Sequence, residues 1–235
     1  MTVEILFPEV CGLYGDAQNG EYLKKCLPDS EFIETDLLSE PYFVNNTPDV
    51  IYIGSMSEEI QRRVIKKLEP FKDRIKQLID EKRVILATGN AAEIFCEKIE
   101  YITEKTEAEG LGFFPFNVKT DLFKRYNGKL LGKVGDIEVV GFRSQFSFIY
   151  GDNSSCPFIE VVRGDGINTE SSLEGMRKNN LMCTTLLGPI LPLNPLFTEY
   201  LISLTGEKAE AAFREEALAA YNKRISEFKD TKIKF

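Results

Sequence analysis

The first half of the chain alternates short apolar runs with a helical pattern, and this alternation limits the fold more than any other feature. Four apolar runs of strand length occur at residues 3–7, residues 31–37, Val50–Ile53 and Val84–Thr88. Between the third and fourth runs, apolar residues recur every three or four positions, at Ile60, Val64, Leu68, Phe71, Ile75 and Leu78. Strands that alternate with helices predict a mostly parallel sheet flanked by helices, and therefore an α/β fold.

Local signals refine the predicted helices of this half. Ser55 and Glu58 have the spacing of a capping box at the start of the long helix. Pro70 is expected to kink or divide that helix, because proline lacks a backbone N–H and clashes with the preceding turn. A second helix is predicted over residues 90–101.

The second half is predicted to be rich in β-structure, with glycines between its apolar runs. These runs lie at residues 112–116, 129–134, 137–142 and 158–163, with a hairpin turn at Gly135 and Asp136 and a last core strand at residues 182–187. Two C-terminal helices follow, at residues 195–204 and 207–228. Since no repeat or linker interrupts the chain, residues 1–235 are expected to form a single α/β domain with β-rich additions.

Composition excludes several classes of function. The chain has 29 Lys and Arg against 37 Asp and Glu, a net charge of −8, which argues against a nucleic-acid or anionic-membrane partner. It contains no histidine. A Ser-His-Asp triad, a Cys-His dyad and a histidine metal site therefore cannot be built from this chain alone.

The cysteines and the apolar runs indicate a cytoplasmic location. Five cysteines are widely scattered without a CxxC pair, which favours neither disulfides nor a thiolate zinc site. The apolar start is broken at Pro8 and has no basic segment, so it is expected to be a buried strand instead of a signal peptide. No run approaches the ~18 apolar residues of a membrane span, and no ligand spacing indicates a metal or another cofactor.

Four segments carry motifs whose order and spacing are informative together. They are Leu13-Tyr14-Gly15-Asp16 with Asn19, then residues 84–95, then residues 109–114, and finally residues 161–195 with Glu174-Gly175 and the run Gly188-Pro189-Ile-Leu-Pro192-Leu-Asn194-Pro195. This series resembles the class I glutamine amidotransferase domain of the CobB/CobQ (cobyric acid synthase) type. Within that family it is similar to the amidotransferase subunits of lipid II isoglutaminyl synthases. The resemblance implies a flavodoxin-like α/β fold and a link to cell-wall or cobalamin biosynthesis.

The resemblance also implies a reaction for which this chain lacks two residues. Members of the family hydrolyse glutamine with a cysteine on a sharp strand-to-helix turn, the nucleophile elbow, and with a histidine that holds it as thiolate. The position that matches the cysteine is Gly89, and the position that matches the histidine is Leu187. No catalytic residue is therefore assigned. Cys11, Cys96 and Cys183 are unpromising replacements, because none has an imidazole partner.

The resemblance further indicates where a ligand pocket would lie. Its expected lining is Gly54, Ser55, Met56, Gly89, Asn90 and Leu187. In the loop after the third strand, Gly54 and the backbone amides of Ser55 and Met56 form either an anion nest or an ordinary helix cap.

These expectations leave three functions open. The favoured one is a non-catalytic partner or regulatory subunit of a Mur-ligase-like or other amidating synthetase. The second is a glutaminase subunit that supplies ammonia through an unusual nucleophile or through a base donated by its partner. The third is a sensor that binds a small glutamine-like ligand in the old pocket.

Overall fold

The computed structural model describes residues 1–233, and its strands follow the apolar runs of the sequence. The strands are β1 (Thr2–Leu6), β2 (Glu31–Thr35), β3 (Val50–Ile53), β4 (Val84–Thr88), β5 (Cys96–Tyr101), β6 (Thr106–Glu109), β7 (Phe114–Thr120), β8 (Tyr126–Val134), β9 (Ile137–Gln145), β10 (Ser147–Tyr150), β11 (Pro157–Arg163), β12 (Leu173–Lys178) and β13 (Leu181–Thr184). The helices are α1 (Gln18–Cys26), α2 (Glu58–Leu68), α3 (Lys72–Asp80), α4 (Ile190–Leu193), α5 (Pro195–Ser203) and α6 (Arg214–Lys229). The α/β class predicted from the sequence is confirmed.

One large mixed sheet organises the described residues. Its nine strands lie in the order β2-β1-β3-β4-β13-β12-β11-β8-β9. The five strands from β2 to β13 pair in parallel, and the remaining pairs are antiparallel. The β-rich half of the sequence therefore extends the same sheet.

The two faces of the parallel strands bury alternate residues, as the period of a β-strand requires. In β3, Val50 and Tyr52 belong to the core shared with α1 and α5. Ile51 and Ile53 belong to the core on the other face, shared with α2 and α3. Because both faces are covered, β3 is apolar at every position and buried throughout.

A second sheet lies against the α2 and α3 face. Within residues 1–233 it has four strands in the order β10-β7-β5-β6. The inward residues of β7, Phe114, Phe116 and Val118, join the same hydrophobic core as α2 and α3. Their outward neighbours are exposed, so β7 has the strict alternation of a strand with one buried face.

Pro70 divides the predicted long helix, as expected. The helix is split into α2 and α3 by a 3-10 turn over Glu69–Phe71.

The expected capping box at Ser55 is wrong: Ser57 is the N-cap, and its Oγ accepts a hydrogen bond of 3.4 Å from the backbone N–H of Ile60. Ser55 instead donates from its Oγ to the carbonyl of Leu13, because the loop crosses the end of the sheet before the helix begins.

The helix predicted over residues 90–101 is wrong. Gly89–Phe95 forms a short 3-10 helix, and the chain then continues directly into strand β5. Cys96, Ile99 and Tyr101 are buried while Glu97 and Glu100 are exposed, which suits an extended strand paired with β6 and β7. Tertiary pairing overrides the local helical pattern here. Cys96 therefore begins a strand and does not lie two turns along a helix.

The hairpin and the C-terminal elements differ from the sequence expectations only at their ends. Strands β8 and β9 pair on either side of Gly135 and Asp136, which confirms the predicted hairpin. The last core strand ends at Thr184 instead of residue 187. Helix α6 begins at Arg214, seven positions later than expected, because Phe213 has a left-handed backbone conformation with φ of 52°.

No helix within residues 1–233 combines the length and apolar character that a membrane span requires. The longest, α6, has 16 residues and carries charged side chains along its length. Among the helices of nine or more residues, α5 is the most apolar, and it has only nine residues. A spanning helix needs about 20 predominantly apolar residues.

Asn194 ties the antiparallel part of the sheet to the C-terminal helices. Its Oδ1 accepts a hydrogen bond of 2.8 Å from the N–H of Val140. Its Nδ2 donates to the carbonyls of Val140 and Ile190, both at 2.8 Å. The side chain is fully buried, so these bonds are shielded from solvent.

We expect Asn194→Ala to lower the free energy of unfolding by about 2 to 4 kcal/mol, because it leaves several buried backbone groups unpaired. Urea denaturation measures this loss. The control is Asn46→Ala, which removes an exposed amide with one hydrogen bond to Tyr42 and should change stability by less than about 0.5 kcal/mol. Equal losses for the two variants would contradict the assigned role of Asn194.

Candidate functional site

Loops from four parallel strands meet at the carboxyl ends of β1, β3, β4 and β13. In α/β sheets this edge is where ligands commonly bind, because the loops there form a crevice. The edge holds a cavity of about 190 Å³. Its lining is Leu13, Tyr14, Ser55, Met56, Ser57, Glu58, Gly89, Asn90, Glu93, Ser144, Gln145, Phe146, Ser147, Thr185 and Leu187.

Five of the six residues expected to line a ligand pocket therefore lie together at this cavity. The sixth, Gly54, lies behind the wall: a Cβ at this position would stand 2.6 Å from the carbonyl oxygen of Cys11 and 2.9 Å from the Tyr52 hydroxyl. Gly54 thus allows the loop to lie close against its neighbours. The tertiary structure brings the loops after β3, β4 and β13 to one place from widely separated parts of the sequence.

Gly89 forms the turn from β4 into the following 3-10 helix. Its φ of 60° lies in the left-handed region, where glycine is favoured. A Cβ added there would lie 2.6 Å from Cβ of Ser55 and 2.8 Å from Cδ2 of Leu187. The space that a nucleophilic side chain would need is filled by these two residues.

Leu187 faces Gly89 across the cavity wall and is 2% exposed. Its backbone is fixed to strand β9, since Leu187 N–H donates to the carbonyl of Phe142 at 2.8 Å and Phe142 N–H donates back at 3.3 Å. The two positions that the sequence resemblance assigns to the catalytic pair are thus neighbours. An aliphatic side chain at Leu187 neither accepts nor donates a proton.

A buried carboxylate lies beneath the elbow and connects three loops. Asp16 accepts hydrogen bonds from Ser55 N–H at 2.8 Å, Thr88 Oγ1 at 2.5 Å and Asn19 Nδ2 at 2.7 Å. Tyr52 donates its hydroxyl to the backbone carbonyl of Asp16 at 2.8 Å. Burial raises the pKa of Asp16 to about 6, although the hydrogen bonds that it accepts act in the opposite direction.

The backbone amides proposed as an anion nest already have acceptors within the protein. Ser55 N–H donates to Asp16, and Met56 N–H donates to Oδ1 of Asn90 at 2.9 Å. Asn90 returns a bond from its Nδ2 to the carbonyl of Met56 at 2.8 Å. An anion at this loop would have to displace these bonds. The other alternative, a helix cap, is provided by Ser57, which is the N-cap of α2.

Glu93 is a carboxylate in the cavity wall that sequence reasoning missed. It is 3% exposed, accepts a hydrogen bond from Ser147 Oγ, and accepts a second bond from Gln61 Nε2 at 2.8 Å. Tyr101 orients Gln61 by donating to its Oε1 at 3.0 Å. Burial raises the pKa of Glu93 to about 7. The sequence does contain a signal for this buried carboxylate, because Glu93 is a single charged residue between the apolar pairs Ala91-Ala92 and Ile94-Phe95.

All five cysteines carry thiols that resist ionisation. Burial raises the pKa of Cys11 to about 12 and the pKa values of Cys96 and Cys183 well above the usual value. The pKa values of Cys26 and Cys156 are raised as well, mainly by burial. No cysteine of the described residues lines the cavity, although Cys11 donates from its Sγ to Met56 Sδ at 3.9 Å. Four of the thiols are buried and behave as small apolar groups, and Cys156 is partly exposed.

An ion pair between buried side chains supports the wall behind Thr185. Arg143 lies 3.4 Å from Glu174, and both side chains are almost completely buried. Arg143 Nε also donates to Thr185 Oγ1 at 2.8 Å, and Glu174 accepts from the N–H of Thr185 at 2.9 Å. Arg143 is therefore held in place by Glu174 and Thr185.

We expect Gly89→Ala to lower the free energy of unfolding by about 2 to 4 kcal/mol. About 1 kcal/mol comes from the positive φ, and the rest comes from the contacts with Ser55 and Leu187. Gly135→Ala is the matched control, because Gly135 has a φ of 58° and no atom within 4 Å of the added Cβ. Chemical denaturation compares the two, and losses of the same size would show that the elbow has room for a side chain.

Glu93 should make the stability of the folded chain depend on pH. The folded pKa of Glu93 lies above its ordinary value of 4.5. Its contribution to stability is therefore fully present below about pH 4.5 and is lost as pH rises through about 7, a loss of about 3 kcal/mol. Urea denaturation between pH 4 and 8 should show this slope for the unmodified chain and a flatter profile for Glu93→Gln. Part of the slope should remain in Glu93→Gln, because burial also raises the pKa of Asp16, to about 6. The exposed control Glu59→Gln should keep the full slope, and a Glu93→Gln profile as steep as that of the unmodified chain would contradict the assignment.

Comparison with known proteins identifies the family. Residues 10–194 match the model of the CobB/CobQ-like glutamine amidotransferase domain. The chain is 30% identical over 172 residues to the GatD subunit of the glutamine-hydrolysing lipid II isoglutaminyl synthase of Staphylococcus aureus strain N315. That match covers 72% of this chain and 69% of the relative.

Solved structures support the fold. A glutamine amidotransferase superposes with a TM-score of 0.57 at 14% identity, covering 87% of this chain and 99% of its own. A glutamine amidotransferase from Thermotoga maritima gives a TM-score of 0.50 at 9% identity, with coverage of 96% and 94%. At these identities the likeness concerns the fold alone. With the family match and the S. aureus relative, it leads to one conclusion: the chain belongs to the CobB/CobQ-like glutamine amidotransferase family.

Proposed function

We propose that this chain is a non-catalytic member of its family that acts as the partner or regulatory subunit of a Mur-ligase-like or other amidating synthetase. The observation that carries the proposal is the pairing of Gly89 with Leu187 at the elbow. The elbow keeps its shape there, without a sulfur nucleophile or an imidazole. A role that depends on the scaffold and its surface requires neither group.

The glutaminase alternative has less support. A partner that donated a histidine would still find no thiol in the cavity of the described residues, and the Cys11 thiol has its pKa raised to about 12. A thiol with that pKa is almost entirely protonated near neutral pH, so it is a poor nucleophile.

Five cysteines without disulfides in the described chain also support the proposed cytoplasmic location.

The rim of the cavity supports the docking part of the proposal. Leu13, Tyr14 and Phe142 are 43%, 45% and 38% exposed, although each has a large apolar side chain. Leu13 and Tyr14 line the cavity, and Tyr14 and Phe142 line a neighbouring groove of about 480 Å³. Neighbouring exposed apolar groups around a cleft are typical of protein interaction sites. The S. aureus relative is itself named as a subunit.

Co-purification with a Mur-ligase-like synthetase from the same organism tests the proposal. We expect a stable complex, and we expect the double variant Leu13→Ser/Phe142→Ser to weaken it at least about tenfold, because apolar anchors dominate such interfaces. Leu38→Ser is the matched control: Leu38 is 88% exposed, follows the outer strand β2, and lines neither the cavity nor the groove. This variant should bind like the unmodified chain.

Two outcomes would contradict the proposal. One is a folded, monodisperse chain that binds none of the synthetases tested. The other is glutamate release from glutamine by the chain, alone or in the complex, that Cys11→Ala abolishes. The second outcome would establish the glutaminase alternative.

A further inference from the structure

The loop between β7 and β8, residues 121–125, displays two large apolar side chains to solvent. Leu122 is 36% exposed and Phe123 is 86% exposed. Hydrogen bonds within the loop close its turn: the N–H of Lys124 donates to the carbonyl of Asp121 at 2.9 Å, and the N–H of Phe123 donates to the Asp121 carboxylate at 3.1 Å. Phe123 therefore projects from a backbone that is already fixed.

Arg125, the last residue of this loop, connects it to the rim of the cavity. Its guanidinium group lies 5.8 Å from the centre of the Tyr14 ring and 5.2 Å from the centre of the Phe146 ring. Its Nη2 also donates to the Tyr14 hydroxyl at 3.1 Å. Within residues 1–233 no carboxylate forms an ion pair with Arg125. Two aromatic rings thus orient an exposed cation that lacks an anionic partner.

The charge around the loop is opposite to that of the whole chain. Residues 119–134 contain five Lys and Arg and one acidic residue, Asp121, whereas the chain has a net charge of −8. The neighbouring groove of about 480 Å³ has two basic residues in its lining, Lys129 and Arg143, and no acidic residue of the described chain. A surface of this kind attracts an acidic partner, because complementary potentials steer association.

We propose that the β7–β8 loop and the adjoining groove bind an acidic segment of the synthetase that also carries an apolar side chain. A carboxylate of the segment pairs with Arg125, whose planar guanidinium suits two parallel hydrogen bonds. The apolar side chain packs on Phe123. This inference rests on the proposed function and names the chemistry of the partner surface.

The loop is continuous with the apolar rim. Tyr14 lines both the cavity and the groove, and it contacts Arg125. The loop therefore adds a cation and a projecting aromatic ring to the surface formed by Leu13, Tyr14 and Phe142. Because the turn and the Arg125 side chain are held before a partner arrives, little conformational entropy is lost when they bind.

A lipid bilayer is the other class of partner that an apolar loop beside cations suits. The net charge of −8 opposes approach to an anionic bilayer. The groove beside the loop is concave, so an extended peptide enters it whereas a flat bilayer surface does not. These two observations favour a protein segment.

The first experiment measures the dissociation constant of the complex between the full chain and a Mur-ligase-like synthetase from the same organism, by calorimetry. Arg125→Glu should weaken binding at least about tenfold at about 50 mM NaCl, because it places like charges together. Lys223→Glu is the matched control: it makes the same charge change at an exposed position of α6 and should alter binding by less than about twofold. Raising NaCl to about 300 mM should weaken the unmodified complex and reduce the difference between the variants.

The apolar contact is tested by Phe123→Ser, which should weaken the same complex at least about fivefold, because exposed aromatic anchors contribute strongly to interfaces. Phe213→Ser is the control. Phe213 is 70% exposed, precedes α6, and lines neither the cavity nor the groove. Circular dichroism confirms that each variant is folded, and the salt series on the unmodified chain gives a result that requires no variant.

The outcomes separate this inference from the proposed function. A stable complex whose affinity does not change with salt, with Arg125→Glu or with Phe123→Ser would overturn the inference and leave the proposed function standing. The absence of any complex would contradict both. Sedimentation with vesicles of phosphatidylcholine and phosphatidylglycerol should leave the chain in the supernatant, and vesicle binding that Phe123→Ser abolishes would assign the loop to a membrane instead.

Discussion

The geometry of the site depends on one buried carboxylate. Asp16, just after β1, holds the loop after β3 through Ser55 and the end of β4 through Thr88. Asn19 extends this connection to the C-terminal segment, because it bonds Asp16 through Nδ2 and accepts the N–H of Leu191 through Oδ1. A buried polar network of this kind fixes the relative positions of chain segments that apolar contacts alone would leave less well defined.

The fixed geometry explains how the elbow keeps its shape with neither a cysteine nor a histidine at its two matching positions. Gly89 keeps the left-handed turn, and the space beside it is filled by Ser55 and Leu187. The packing around the turn is complete, so stability does not require a cysteine or a histidine there. What remains is a cavity beside the turn, lined by Glu58, Glu93 and several hydroxyl groups.

Much of the fold could be predicted from the sequence, because its signals were local. The residues of β3 and the first four residues of β4 are apolar, Pro70 lacks the N–H that a continuous helix needs, and Gly135 permits the hairpin turn. The helix predicted over residues 90–101 is wrong because the interactions that decide the structure there are not local. Cys96–Tyr101 is extended because it pairs with β6 and β7, strands that follow it in the sequence, and no local pattern encodes that pairing.

The sequence by itself determined what is missing: the chain contains no histidine, and glycine and leucine stand where the family resemblance expects the catalytic pair. These are statements about residue identity, which requires no coordinates. Only the tertiary structure decided that the amides of Ser55 and Met56 are occupied and that Glu93 faces a cavity. Hydrogen-bond partners and burial depend on which distant segments meet, and their physical consequences, such as the raised pKa of Glu93, appear only when the chain is folded.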